Sequence, residues 1–248
     1  MRLLRSLLAW TVLVLATIVF AILAIPLSRL PRGGKWFQRC SKGWSALLLG
    51  SAGVRIRVLH GERMRRDGLY VIASNHESFY DIPVLFATLP MPVRFLAKRN
   101  LFRLPFLGWA MSAAGFVPVD RADHSHGKET LGTALSRLRD QRSLIVFPEQ
   151  TRTRTGELSP FKSGAAVFAI KAEMPLLPVA IAGTFGVLRR GSFWIRPGRV
   201  TVAFGEPLSV EGFSTRDRAA LTTRLRGAIE ALRDEARAAD IRSDREQS

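Results

Sequence analysis

The sequence predicts a single α/β domain built on a mixed, largely parallel sheet flanked by helices, with a membrane-anchoring helix or helices in front of it. Three observations carry that prediction. Short apolar runs of strand type alternate with stretches of helical periodicity from residue 54 onward, the pattern of βαβ units rather than of hairpins. An uncharged run, Leu7–Ile25, is 19 residues long. At about 1.5 Å per residue such a run covers roughly 28 Å, close to the hydrocarbon thickness of a bilayer. Finally, 248 residues of 47% apolar composition are ample for one sizeable core.

In chain order, the apolar run is preceded by Arg2 and Arg5 and ended by Pro26. It exceeds the apolar core of a signal peptide, about 7–15 residues, and Ile22-Leu23-Ala24 offers no small residue at the −3 position of a cleavage site. It therefore reads as a retained anchor. Beyond it, Trp36, Cys40, Trp44, Leu47 and Leu48 recur at helical spacing, with Lys35, Arg39 and Lys42 elsewhere on the wheel. That pattern suits an interfacial helix or a helix packed on the domain's own core, and both readings stand. Residues 1–50 are thus expected to be anchor and interfacial helix, and 51–248 the main domain. Arg29, Arg32, Lys35, Arg39 and Lys42 outnumber Arg2 and Arg5, which puts the main domain on the cytoplasmic side of the cell (inner) membrane.

Residues 54–59 alternate apolar and basic and predict a half-exposed strand. Further strands are predicted over 69–73, 93–97, 116–119, 143–147, 176–182 and 200–204. A helix is expected over 128–141, where Leu131, Leu135 and Leu138 share a face. From Ser214 an amphipathic helix begins: Ser214 is the N-cap with Asp217 three residues on, and Leu221, Leu225, Ile229 and Leu232 line one side. Its arginines are expected to form a solvated face and its last eight residues to fray.

The formal net charge is +17, from 37 Lys+Arg against 20 Asp+Glu, which demands an anionic partner: nucleic acid, a phospholipid surface or a phosphorylated substrate. Basic clusters interleaved with aromatics are not gathered in one stripe, so nucleic acid is not expected. Cys40 is the only cysteine and excludes an intrachain disulfide. Of the four histidines only His124 and His126 lie close together, too few ligands for a metal site.

The chemistry gathers at Asn75-His76-Glu77-Ser78-Phe79-Tyr80-Asp81, directly after the predicted strand 69–73. A His–Asp spacing of five fits no single element, since the two side chains would lie about 140° apart on a helix and on opposite faces of a strand. It fits a strand-to-helix turn, in which Asp81 in the first helical turn curls back to fix the imidazole tautomer of His76. The pattern forces no serine or cysteine nucleophile, and Ser78 is not needed as one. Arg121, Glu149 and Arg152 also follow predicted strand ends, where ligands of α/β sheets collect, and arginine forks suit a phosphate.

Taken together, these segments resemble the glycerolipid acyltransferases, and closely the 1-acylglycerol-3-phosphate acyltransferases. Asn75-His76-x4-Asp81 matches the family's His-x4-Asp block, Gly115–Arg121 its second, Phe147-Pro148-Glu149-x-Thr151-Arg152 its third and the proline-bearing strand 175–181 its fourth. The likeness covers about residues 50 to 210. It implies that His76 is a general base oriented by Asp81. It further implies that Arg121, Glu149 and Arg152 bind the glycerol-phosphate end of lysophosphatidic acid, with Glu149 holding an arginine or accepting from a glycerol hydroxyl. Asn75, Lys98, Gln150, Thr151 and Lys162 are further candidates at the same site. The implied co-substrate is a thioester, acyl-CoA or acyl carrier protein, with no bound cofactor, and the implied surroundings are an anionic phospholipid membrane. Two positions depart from the family: Gln150 replaces a glycine and Thr153 a serine. A non-glycine residue at 150 is expected to exclude positive-φ geometry there. These departures leave open another lyso-lipid acceptor, a lysophospholipid or a lyso-aminolipid. A basic membrane-binding module without catalysis is the remaining alternative, and it leaves the His–Asp pair unexplained.

Overall fold

The structure, a computed structural model, describes residues 2–30, 33–119, 132 and 142–245. Its centre is a seven-stranded sheet of order β1-β7-β6-β2-β5-β3-β4. The strands are β1 (Val54–Leu59), β2 (Val71–Ser74), β3 (Val93–Lys98), β4 (Val117–Val119), β5 (Ser143–Val146), β6 (Leu176–Ala182) and β7 (Gly198–Phe204). Each predicted strand is present, with ends within two residues of the expectation. The predicted helix 128–141, apart from residue 132, lies outside the described residues, as do Arg121, His124 and His126. All pairings are parallel except β6 with β7, so the sheet is mixed and largely parallel as the sequence predicts.

Period-two alternation splits the strand side chains between two cores. Ile72, Ile145, Leu177, Val179, Ile181, Val200 and Val202 face one side, where they meet helix α3 (Asp81–Thr88) through Val84 and Leu85. Val71, Ala73, Leu144, Val146, Ala180 and Ala203 face the other, against α5 (Gly164–Ala172) and α7 (Arg218–Arg245). A short α4 (Leu107–Ala113) precedes β4, and α6 (Thr184–Val187) follows β6. β2 leads through α3 to β3, beyond β5, while β5 leads through α5 to β6, beyond β2. Opposite directions on opposite faces give both crossovers one hand. The loops leaving β2 and β5 therefore diverge at neighbouring strand ends, the place where such sheets bind ligands.

Two helices precede the sheet, α1 (Arg2–Ser28) and α2 (Gly33–Ala52). Among the described residues α1 is the one helix long and apolar enough to cross a membrane, with a mean hydropathy of 2.7 over its best window. It runs through Pro26, in its last turn, because a proline near a helix end removes little of the hydrogen-bond ladder. Its small residues Ala9, Ala16, Ala21 and Ala24 are buried, while Leu4, Leu8, Val14, Leu15 and Val19 are exposed. Close approach to α2 follows from Gly43, where a Cβ would come within 2.8 Å of the Phe20 ring. Trp44 Nε1 also donates to Thr17 Oγ1 at 3.1 Å. Helix α2 packs on the domain's own core, one of the two readings the sequence left open. Phe37, Leu48, Leu49 and Ala52 are buried on the core and Gln38 Nε2 donates to Leu89 O at 2.8 Å, whereas Trp36 and Leu47 stay exposed.

The C-terminal helix starts as expected. Ser214 and Asp217 form a capping box, with Ser214 N donating to Asp217 Oδ2 at 2.8 Å, and Leu221, Leu225, Ile229 and Leu232 are buried. The helix is described as far as Arg245, and the last three of the eight residues expected to fray lie outside the described residues. One expectation fails: its arginines are not all solvated, since Arg233 is only 4% exposed. Arg233 stands four residues after Ile229, on the row Leu221–Leu225–Ile229 that faces the sheet, and its charge is met by groups beneath.

Gly183 joins β6 to α6 at φ 99°, and a Cβ there would run into the carbonyl oxygen of Arg199 on β7. Gly183→Ala is therefore expected to cost about 2 kcal/mol or more, because a side chain is penalised both by the left-handed backbone and by the clash. Thermal unfolding of the detergent-solubilised protein checks this; an unchanged melting temperature would mean that β7 can yield.

Candidate active site

The turn leaving β2 is built around one buried carboxylate. Asp81, the first residue of α3, has no exposed surface. Its Oδ2 accepts from the backbone N–H of Glu77 at 2.8 Å and of Ser78 at 2.9 Å, and lies 2.7 Å from His76 Nδ1. Thr184 Oγ1, on α6, donates to Oδ1 at 2.5 Å. A carboxylate already accepting from two amides cannot also donate to the ring, so Nδ1 carries the proton and Nε2 keeps its lone pair. His76 stacks on Phe147 with centroids 3.9 Å apart and 13° between planes, which limits rotation of the ring. Among the described residues Nδ1 is bound and Nε2 is not, and the imidazole is held in one plane, the arrangement a general base requires.

The flanking residues secure that turn. Asn75, fully buried, extends the sheet with its amide: Nδ2 donates to Ile181 O and Oδ1 accepts from Ile181 N, each at 2.8 Å. Ser78 Oγ donates to Leu188 O at 2.8 Å and is fully buried, which removes it as a nucleophile. Glu149 sits at the end of β5 with both oxygens occupied, Oε1 by the backbone N–H of His76 and Oε2 by that of Ser159, each at 2.8 Å. These two bonds tie the third-block loop to the histidine loop. Thr153 N completes the clamp by donating to His76 O at 2.9 Å. Burial raises the Glu149 pKa, and the two backbone donors offset part of that rise.

Arg152 is half-buried beside this clamp. Burial and the neighbouring Arg190 lower its pKa, and Asp81 acts in the opposite sense. Of the other candidates, Lys98 at the end of β3 and Thr151 and Lys162 in the third-block loop are exposed. Lys162 donates its backbone N–H to Pro148 O at 2.9 Å. None of the three is bonded to the His76–Asp81 pair. Gln150 overturns a second expectation: it adopts φ 62°, the left-handed geometry a glycine would take, with its N–H on Phe147 O at 2.9 Å. The turn between β5 and Arg152 requires that conformation, and this chain carries the strain. The change at Thr153 is conservative in structure, since its Oγ1 accepts from Gly156 N at 3.1 Å, a turn bond a serine makes as well.

Three contributors escaped the sequence reading. Thr184 follows the end of β6, so the strand-end rule that singled out His76 and Glu149 could have found it. Glu77 is 4% exposed; burial, with Asp81 close by, pushes it up to about 7, and Arg233 pulls the other way. Arg233 reaches in from α7, its Nε 3.6 Å from Glu77 Oε1 and its Nη2 donating to Gly156 O at 2.6 Å and to Glu157 Oε2 at 3.0 Å. Its signal was helical phase, which contradicted its charge. Among the described residues no group of three His, Cys, Asp or Glu is placed to hold a metal ion.

Comparison with known proteins places this geometry in a family. A family model described as Acyltransferase matches residues 55–182. The chain is 37% identical over 139 residues to the chloroplastic 1-acyl-sn-glycerol-3-phosphate acyltransferase BAT2 of Brassica napus, covering 56% of this chain and 40% of that one. It is 34% identical over 154 residues to the 1-acyl-sn-glycerol-3-phosphate acyltransferase of Saccharomyces cerevisiae, covering 58% and 50%. The matched part spans half or less of either relative's length. Among solved structures, the 1-acyl-sn-glycerophosphate (LPA) acyltransferase PlsC of Thermotoga maritima superposes with a TM-score of 0.81 over 96% of this chain and 95% of that one. At 24% identity that likeness establishes the fold.

Two outcomes are expected from these environments. Gln150→Gly relieves a left-handed residue and should raise stability by a few tenths to about 1 kcal/mol, the strain relief exceeding the extra unfolded-chain entropy; a denaturant midpoint that falls would show that the side chain stabilises the turn. Glu77 binds its proton more tightly folded, at about 7, than at its ordinary value of 4.5. Between those values the unfolded chain releases the proton first, so stability declines as pH rises through that window and levels off above it. Glu77→Gln lacks this loss, and melting curves from pH 4.5 to 8 should shift in its favour up to about pH 7; a difference independent of pH would contradict the assignment.

Proposed function

The chain belongs to the acyltransferase family, and on that premise we propose that it moves an acyl chain from a thioester donor to the sn-2 hydroxyl of 1-acylglycerol-3-phosphate, giving phosphatidic acid. The observation that carries this reading is the His76–Asp81 pair, 2.7 Å apart, with Nε2 unbonded and no free serine or cysteine nucleophile beside it among the described residues. His76 Nε2 takes the proton of the acceptor hydroxyl as its oxygen attacks the thioester carbonyl. The tetrahedral intermediate then collapses with cleavage of the C–S bond, and the imidazolium returns the proton to the departing thiolate. A hydroxyl with a pKa far above neutrality needs such a base, whereas the thioester is already activated, so no acyl-enzyme is required. Asp81 stabilises the imidazolium formed on the way.

Arg152 supplies a cation for the acceptor phosphate. The two relatives named as 1-acyl-sn-glycerol-3-phosphate acyltransferases support this acceptor class. The net charge of +17 suits an anionic membrane and an acidic donor, whether the phosphates of acyl-CoA or an acyl carrier protein. The apolar helix α1 and the exposed Trp36 and Leu47 of α2 support association with that membrane, and the basic residues after α1 favour its cytoplasmic side.

The test is acyl transfer to lysophosphatidic acid by detergent-solubilised protein. His76→Ala should lower kcat by about two to four orders of magnitude while the protein melts as before. A loss below about tenfold would remove His76 as the base, and transfer only to phosphate-free lyso-lipids by the unaltered protein would reassign the acceptor.

A further inference from the structure

Arg190 lies in the loop that follows α6, exposed, with its Nη1 donating to the backbone carbonyl of Arg152 at 3.3 Å. The loop is not free to wander. Leu188 O accepts from Ser78 Oγ at 2.8 Å, Arg196 N donates to Val187 O at 2.9 Å, and Thr184 at the start of α6 is bonded to Asp81. Arg190 is thus carried on the scaffold that positions His76. Its neighbour Arg189 is directed elsewhere, over the ring of Phe185 at 5.1 Å. Among the described residues neither Arg152 nor Arg190 forms an ion pair with a carboxylate. The fold therefore holds two like charges near each other, and Arg190 disfavours the charge on the half-buried Arg152. Such a pair is relieved by a ligand that brings two negative charges at once, and guanidinium forks match the oxygens of a phosphomonoester.

We propose that Arg190 is a second phosphate-binding arginine, which closes with Arg152 on the phosphomonoester of the acceptor. This rests on the acceptor reading above. Phosphate could also come from the donor, coenzyme A, but the two sources differ in reach. In the acceptor the phosphate is separated from the reacting hydroxyl by two carbons and one oxygen, so it must lie close to His76, as Arg152 does. The coenzyme A phosphates lie beyond the whole pantetheine arm.

Steady-state kinetics of the full-length protein and of Arg190→Gln, varying lysophosphatidic acid at fixed acyl-CoA and then the reverse, separate these cases. The expected result is a KM for lysophosphatidic acid raised about tenfold or more, as for loss of a charge-assisted bond, with a smaller change in kcat and with KM for acyl-CoA unmoved. Arg190→Lys should restore part of the loss, because a cation remains without the fork. A KM for lysophosphatidic acid within about twofold of the original, or a shift that falls mainly on acyl-CoA, overturns the proposal. Failure of the unaltered protein to use lysophosphatidic acid at all is a separate result: it removes the acceptor reading, and this inference with it, before any variant is made.

Discussion

A carboxylate with no exposed surface must be satisfied by the protein, because water cannot reach it. Asp81 meets that constraint with four donors drawn from two places: His76 and two amides of the β2 turn, and Thr184 on α6. Each of those bonds also fixes something else. The amides curl the turn into its shape, the imidazole is set in one tautomer, and α6 is pinned to the end of β6. Had Asp81 been one turn further along α3, none of these could coexist, since an acid there faces neither the turn amides nor the ring.

The second level of organisation is backbone rather than side chain. Glu149 and Thr153 bond the N–H and the carbonyl of His76, so the loop after β5 holds the histidine by its peptide while Asp81 holds it by its ring. Behind both loops, Arg233 and Arg237 of α7 bond the carbonyl of Gly156. The C-terminal helix thus completes a core and also braces the loops around His76. The polar groups at this junction are not all comfortable: Glu77 is held toward its neutral form by burial, and Arg233 Nε, although near it, makes no hydrogen bond. Gln150 stores backbone strain in the same region, as residues next to sites commonly do.

Much of the fold was legible in the sequence because its determinants are local. Strand alternation, the Ser214 capping box and the apolar length of α1 each depend on residues within one element, and the structure shows all three. The His–Asp spacing was legible for the same reason: five residues fit only a strand-to-helix turn, and the partners lie within that turn. Gln150 shows the limit of local reasoning. Its side chain disfavours positive φ, yet the path from β5 to Arg152 imposes it, and closure of the loop outweighs the preference of a single residue.

What the sequence by itself determined is the set of elements, the buried strands and the histidine–aspartate turn, all written in side-chain type and spacing over a few residues. The tertiary structure alone decided the partners. Glu149 accepts from two backbone amides, Thr184 meets Asp81 across 103 residues, and Arg233 turns inward on a helix whose other charges suggested solvent. The physical reason is that a polar side chain takes whichever donor or acceptor the packed chain brings within about 3 Å, and that proximity is set by strand order and crossover, not by neighbouring residues.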